Sequence, residues 1–168
     1  MKHIGTQMLK TERLLLRKSD INDVDEYDDN IESQRTFFRE QVMNEYNNLN
    51  FYFWTIVEKM SNKAVGYIRT IENNEKMLSC KMAYEIKEKY RNNGYASEAL
   101  KRVLEFLLIE VEYNRISAGH LADNPASGRV MEKAGMKYEG TRRQDNRNRE
   151  GRLIDSNIYA ILRDDLLI

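Results

Sequence analysis

Residues 91–97 read Arg-Asn-Asn-Gly-Tyr-Ala-Ser, a cation and two short amides leading into a glycine just where an apolar-periodic stretch begins. A glycine at that point lets the backbone approach a ligand, and the first helical N–H groups, helped by the helix dipole, stabilise a phosphate. Arg91 adds a fixed positive charge at the mouth. Asn-Gly is equally a common turn dipeptide, so the run taken alone is a turn as readily as an anion site. A second cluster is Asn124-Pro125-Ala126-Ser127, in which Asn124 can cap a helix whose first turn holds the proline. His3 and His120 lie far apart in sequence and Cys80 has no partner at ligand spacing, so no metal site is expected.

The flanking sequence says what must hold these residues in place. Residues 51–59, FYFWTIVEK, and 63–71, KAVGYIRTI, are β-branched and aromatic runs joined by Met60-Ser61-Asn62, which predicts an antiparallel hairpin. A third run, KMAYEI, extends it to a meander. From Ala96 to Leu108 the apolar residues fall at 96, 99, 100, 103, 104, 107 and 108, a spacing that predicts a helix with one buried face. NRISAGH then reads as a strand, and the strand, helix, strand order from Met82 to His120 predicts a parallel pair joined by a right-handed crossover. The helix after Asn124 should end at Gly135, and two more strands, MKYEGTRR and LIDSNIYAIL, flank the loop QDNRNREGR. Near the start, RLLLRKSD reads as a strand whose Ser19 and Asp20 could cap a helix from Ile21.

Size and charge narrow the function classes. At 168 residues with no Gly/Ser-rich or Pro-rich linker, the chain is expected to form a single domain over residues 1–168. Its 27 basic residues balance 27 acidic ones, so no global field marks it as a binder of nucleic acid or of a membrane surface. The first twenty residues hold only the apolar triplet Leu14 to Leu16, so a signal peptide is not expected, and no apolar run approaches the roughly 20 residues a membrane span needs. A single cysteine suits a reducing compartment, and a cytoplasmic location is expected. Local charge is another matter. Between Asp20 and Glu32 stand seven carboxylates and no Lys or Arg, either a solvated helix face or a wall that attracts cations. Five arginines lie between Arg142 and Arg152.

Set between a strand and an amphipathic helix, and followed by a parallel strand and NPASGRVMEKAGM, residues 91–96 resemble the acetyl-CoA pyrophosphate loop of the GNAT N-acetyltransferase family. That loop is written Arg or Gln, two residues, Gly, one residue, Gly or Ala; here it is Arg91, Asn92, Asn93, Gly94, Tyr95, Ala96. TERLLLRKSDINDVDEY at the start and EGTRRQDNRNREGRLIDSNIYAILRDD at the end are similar to the branch that includes ribosomal-protein N-terminal acetyltransferases. The fold implied is α/β (α+β): a GNAT-like mixed, mostly antiparallel sheet of six to seven strands with a central splayed parallel pair, flanked by about four helices.

The resemblance implies a site as well. The pantetheine arm would enter the gap between the splayed strands and bond backbone groups near Ile86 and Lys87, with the pyrophosphate on the N–H groups of Asn92, Asn93, Gly94, Tyr95, Ala96 and Ser97. Asn124 would contact the cofactor arm and Ser127 would stand near the sulfur. Oxyanion stabilisation would come from a backbone N–H around Glu85 to Lys87. Two positions depart from the family pattern: Met131 stands where many members have a tyrosine acid, and Lys81 where many relatives have a glutamate. The acid role is then vacant or falls to Ser127. For the base, Glu85, Glu139 and Asp145 are the carboxylates expected nearest the sulfur, with Glu85 favoured. Glu98, in the first helical turn, reads as a structural offset to the dipole.

The function implied is acetyl transfer from acetyl-CoA to a primary amine by direct attack in a ternary complex, with a protein or peptide N-terminal amine as the foremost acceptor. A small cationic amine such as a polyamine is the alternative acceptor, drawn by the acidic segment, and a non-catalytic CoA-binding regulator is the alternative class. A homodimer is left open.

Overall fold

The computed structural model describes residues 1–26, 38–148 and 150–166. Its strands form one sheet in the order β1-β2-β3-β4-β5-β6-β8-β7. β1 (Leu9–Lys10) and β2 (Leu14–Arg17) lead into β3 (Phe53–Glu58), β4 (Lys63–Asn74) and β5 (Ser79–Ile86). α1 (Tyr95–Glu105) crosses to β6 (Arg115–Leu121), and α2 (Pro125–Lys133) precedes β7 (Lys137–Arg147) and β8 (Leu153–Leu162). All neighbours are antiparallel except β5 and β6, which run parallel.

Among the described residues the strand count is eight rather than six to seven, because the short β1 pairs Leu9 with Leu16 and adds an edge too brief for a period-two pattern to reveal. β7 runs on to Arg147, into the stretch expected to be loop, and β8 inserts between β6 and β7. Among the described residues there are two α-helices; the helix expected at Ile21 begins as a 3₁₀ turn, Ile21–Glu26, and the rest of the acidic segment lies outside the described residues. Asp20 does cap that turn, its Oδ1 accepting from the N–H of Asn22 at 2.9 Å.

Alternation in the strands and the three-and-four spacing in α1 send one apolar face of each element to a shared core. Ala99, Leu100, Val103 and Leu104 of α1 pack with Leu14, Leu16, Ile56, Ile68, Met82 and Ile116 from the sheet. Beyond Glu105 the helix widens into a π turn, Phe106–Glu110, which buries Phe106 edge-on to Trp54 at 5.9 Å between ring centroids. Trp54 is fully buried and its indole N–H donates to the Gln7 carbonyl at 2.7 Å. Each large apolar side chain enclosed this way stabilises the fold by about 1.5–3 kcal/mol.

The opposite face of β3 is closed differently. Thr55 is buried between Ser19, at 2.7 Å, and Asp23, at 3.0 Å, and Asp23 takes two Arg17 guanidinium bonds at 2.8 Å. Burial would raise the Asp23 pKa, yet the bonds from Arg17, Asp20 and Thr55 outweigh it and hold the carboxyl below its usual range. One of the seven acidic residues is therefore turned inward and neutralised rather than offered to a cation.

A candidate cofactor groove at the splayed parallel strands

β5 and β6 pair only at Ser79↔Arg115, Cys80↔Ile116 and Lys81↔Ser117, after which the strands part. The gap opens into a groove of about 490 Å³ walled by the end of β5, the loop and first turn before and within α1, and one face of α2. That volume falls in the range typical of small-molecule and cofactor sites. Of the residues expected in a site, Glu85, Ile86, Arg91, Asn92, Asn93, Gly94, Tyr95, Ala96, Ser97, Asn124 and Ser127 all line this one groove.

Lys87 does not. Its N–H donates to the Val65 carbonyl at 2.9 Å, its carbonyl accepts from Tyr90 at 2.9 Å, and its side-chain amine bonds the Ala64 carbonyl, so its backbone is committed to β4 and the following turn. The close approach of β4 has a cause in Gly66, where any Cβ would stand 2.1 Å from the Glu85 carbonyl oxygen.

The loop takes its shape from two left-handed residues, Asn92 at φ 63° and Gly94 at φ 79°, with Gly94 supplying the carbonyl for the first helical bond, from Glu98 N–H at 3.1 Å. In a helix that begins at Tyr95, the N–H groups of Tyr95, Ala96 and Ser97 have no acceptor within the helix. They form the lip of the groove, and Arg91, whose Nε donates to the Ile86 carbonyl at 3.1 Å, stands beside them. Such a lip suits an anion.

Arg13, a residue from the far N-terminal segment to which sequence reasoning gave no role, clamps this loop. Its Nη1 donates to the Asn93 carbonyl at 2.9 Å, its guanidinium carbon lies 4.9 Å from the Tyr95 ring centroid, and its Nε and Nη2 both reach Glu98 Oε2 at 2.7 Å. Glu98 also takes the Arg13 N–H at 2.9 Å and the Thr11 hydroxyl at 2.5 Å. Burial would raise the Glu98 pKa, but these bonds win and lower it. Glu98 is thus more than a dipole offset: it ties the N-terminal segment to the start of α1. No local pattern marks a contact between residues 85 apart in sequence.

Across the groove, Pro125 opens α2 as expected and Gly135, at φ 95°, follows its end. Asn124 departs from the expected capping role, because its side chain makes no cap bond and instead donates Nδ2–H to Ser127 Oγ at 3.1 Å. With an oxygen lone pair so occupied, the Ser127 hydroxyl hydrogen is left to donate into the groove. Tyr84 reaches over from β5 and donates to the Ser127 carbonyl at 3.2 Å, tying β5 to the first turn of α2; burial raises its pKa, with the Ser127 bond opposing. Met131 is buried in the core and offers nothing to the groove.

Strand alternation points Tyr84 and Ile86 toward the helices and Glu85 toward the other face of the sheet, where Glu85 Oε2 accepts from the Tyr67 hydroxyl at 3.2 Å. The other two carboxylates do not join it. Glu139 is held by both terminal nitrogens of Arg115 at the first residue of β6, the end away from the gap, and Asp145 pairs loosely with Arg142 at 3.9 Å outside the groove. Lys81 pairs with Glu72 at 2.5 Å. Burial pushes the Cys80 thiol up to about 12, so it carries no thiolate for covalent chemistry at neutral pH. Among the described residues no group of three or more His, Cys, Asp or Glu could hold a metal ion, and no helix is long and apolar enough to cross a membrane.

A splayed parallel pair, a glycine-led helix start on one strand and an asparagine-led helix after the other define a class that comparison with known proteins identifies. Residues 13–137 match the family described as "Acetyltransferase (GNAT) domain", and the chain belongs to that family. It is 30% identical over 110 residues to the uncharacterized N-acetyltransferase YoaA of Bacillus subtilis, a match covering 66% of this chain and 62% of that one, so the chain spans less than two thirds of that relative. Among solved structures, a GNAT-family acetyltransferase from Bacillus anthracis superposes with a TM-score of 0.78 at 26% identity, over 94% of this chain and 99% of that one. RimL, a ribosomal-protein α-N-acetyltransferase in complex with coenzyme A, shares the fold with a TM-score of 0.80 at 17% identity, over 93% and 98% of the two chains.

Proposed function

We propose that the protein transfers the acetyl group of acetyl-CoA to a primary amine, foremost the N-terminal amine of a protein or peptide, by direct attack while both substrates are bound. The diphosphate rests on the N–H groups from Asn92 to Ser97 with Arg91 beside it, the pantetheine arm lies along β5 at Tyr84 to Ile86 and against Asn124, and the thioester meets Ser127. The Ser127 hydroxyl donates to the departing sulfur. A thiol of pKa about 8.5 leaves readily, so this help is small beside that of holding the reactants in line, which supplies several kcal/mol.

The carrying observation for the acceptor is Glu85: it is exposed, bonded to Tyr67, and is the carboxylate that lines the groove. An exposed carboxylate working through water is a weak base. It suits an N-terminal amine of pKa about 7.7–8.0, of which roughly a third is neutral at pH 7.5, far better than an alkyl amine of pKa about 10.4, of which only about one part in a thousand is. The inward turn of Asp23 further weakens the case for a polyamine.

Thiol release from acetyl-CoA, followed over N-terminal peptides and polyamines between pH 6.5 and 9, tests the reading. Turnover of peptides at neutral pH with little on polyamines is expected. Faster turnover of polyamines overturns the acceptor assignment, and tight CoA binding with no turnover on any acceptor leaves a CoA-binding regulator instead.

A further inference from the structure

One face of α2 lines the groove through Ala126, Arg129, Val130 and Lys133, spaced at i, i+3, i+4 and i+7. Arg129 and Lys133 are one turn apart, so their heads can converge on one ligand group. Neither has an ion-pair or hydrogen-bond partner among the described residues, although the chain's charges balance at 27 of each sign and cations elsewhere are engaged, Arg13 with Glu98, Arg115 with Glu139 and Lys137 with Asp165. The carboxylate beside them on α2 is taken up elsewhere: Glu132 accepts from the Tyr159 hydroxyl at 3.2 Å. The groove therefore holds two uncommitted positive charges on the wall opposite the Arg91 loop.

We propose that Arg129 and Lys133 receive the 3′-phosphate of coenzyme A and make the protein select CoA over donors that lack this group. This rests on the acetyl-CoA reading above. The diphosphate is already served by the loop N–H groups and Arg91, whereas the 3′-phosphate is a monoester carrying a charge of about −2 near neutral pH, and two convergent cations match it. Ala126 and Val130, small and uncharged, leave the same face of α2 open to the rest of the cofactor.

The test compares acetyl-CoA with acetyl-3′-dephospho-CoA by titration calorimetry on the full chain. The wild type should bind acetyl-CoA at least tenfold tighter, a preference that shrinks as salt is raised. In Arg129→Ala/Lys133→Ala, affinity for acetyl-CoA should fall to the wild-type value for the dephospho form, while the dephospho form binds as before. Melting temperature should stay unchanged, since both side chains are exposed, and exchanging the two for Arg129→Lys/Lys133→Arg should restore most of the preference. Equal binding of both donors by the wild type overturns this proposal and leaves the acetyl-CoA reading standing. An equal loss for both donors in the double variant also overturns it, placing the cations on the diphosphate or the arm. Failure of the wild type to bind either donor overturns both readings.

Discussion

On the helix side of the β5–β6 gap, the loop from Arg91 to Gly94 is held from outside by Arg13 and from below by Glu98, and its residues all line one groove. On the other side of the same gap, Glu85 is exposed and accepts from the Tyr67 hydroxyl, while Arg142 and Arg152 of the last hairpin spend their charge on Asp145 and Glu150 nearby. One side is preorganised by contacts between residues 80 to 87 apart in sequence. The other is a floor with a single carboxylate. Preorganisation of this kind lowers the cost of fixing a ligand, so the proposed cofactor side gains from it, whereas the proposed acceptor side gains more from being open.

Four variants would break or sharpen that contrast. Gly94→Glu places a side chain at φ 79°, where its Cβ would crowd an Arg13 nitrogen at 3.3 Å, and puts a carboxylate where the diphosphate is proposed to rest. Affinity for acetyl-CoA should fall by more than about a hundredfold in a chain that still melts cooperatively; calorimetry showing wild-type affinity in the folded variant would refute the loop assignment. Glu85→Gln should act on the other side alone, lowering kcat/KM by about a hundredfold, in the range for loss of a general base, with acetyl-CoA affinity unchanged. A loss of cofactor affinity in that variant would show that the two sides are not separable.

The smallest effect is expected at the clamp. Arg13→Ala should weaken acetyl-CoA binding by about tenfold without replacing any residue that lines the groove, and Glu98→Gln should do much the same. Because the folded Glu98 pKa is lowered, the clamp's contribution is complete above the ordinary carboxylate value of about 4.3 and is lost as pH falls through the folded value. Melting temperature followed from pH 6 to pH 3 should therefore drop less steeply in Arg13→Ala than in the wild type. Parallel curves would mean that the Arg13–Glu98 contact does not stabilise the fold.

Much of what lines the groove was legible because its signals are local. Gly94 before an apolar-periodic stretch and Asn124-Pro125 before the next helix depend on neighbours within a few residues, and the parallel pair follows from the order of elements adjacent in sequence. Lys87 was placed wrongly, since its commitment to Val65 and Ala64 follows from a bulge in β4 that register alone decides. Glu139 was placed wrongly for a similar reason, as strand order rather than sequence distance brought it to Arg115. Arg129 and Lys133 could have been found, because their spacing with Ala126 and Val130 on one helical face was in plain view.

Local physics in the sequence determined the elements of this protein: where helices start, which faces are apolar, and that a glycine-led turn would present free N–H groups. Tertiary structure alone decided which charges those elements leave over. Arg13 and Glu98, and Arg115 and Glu139, find each other across long stretches of chain and cancel, as Arg17 and Asp23 do within one turn of the chain. What remains in the groove is the set Arg91, Arg129 and Lys133 with Glu85 at the far edge, a distribution that balanced composition conceals because pairing is a property of the folded chain.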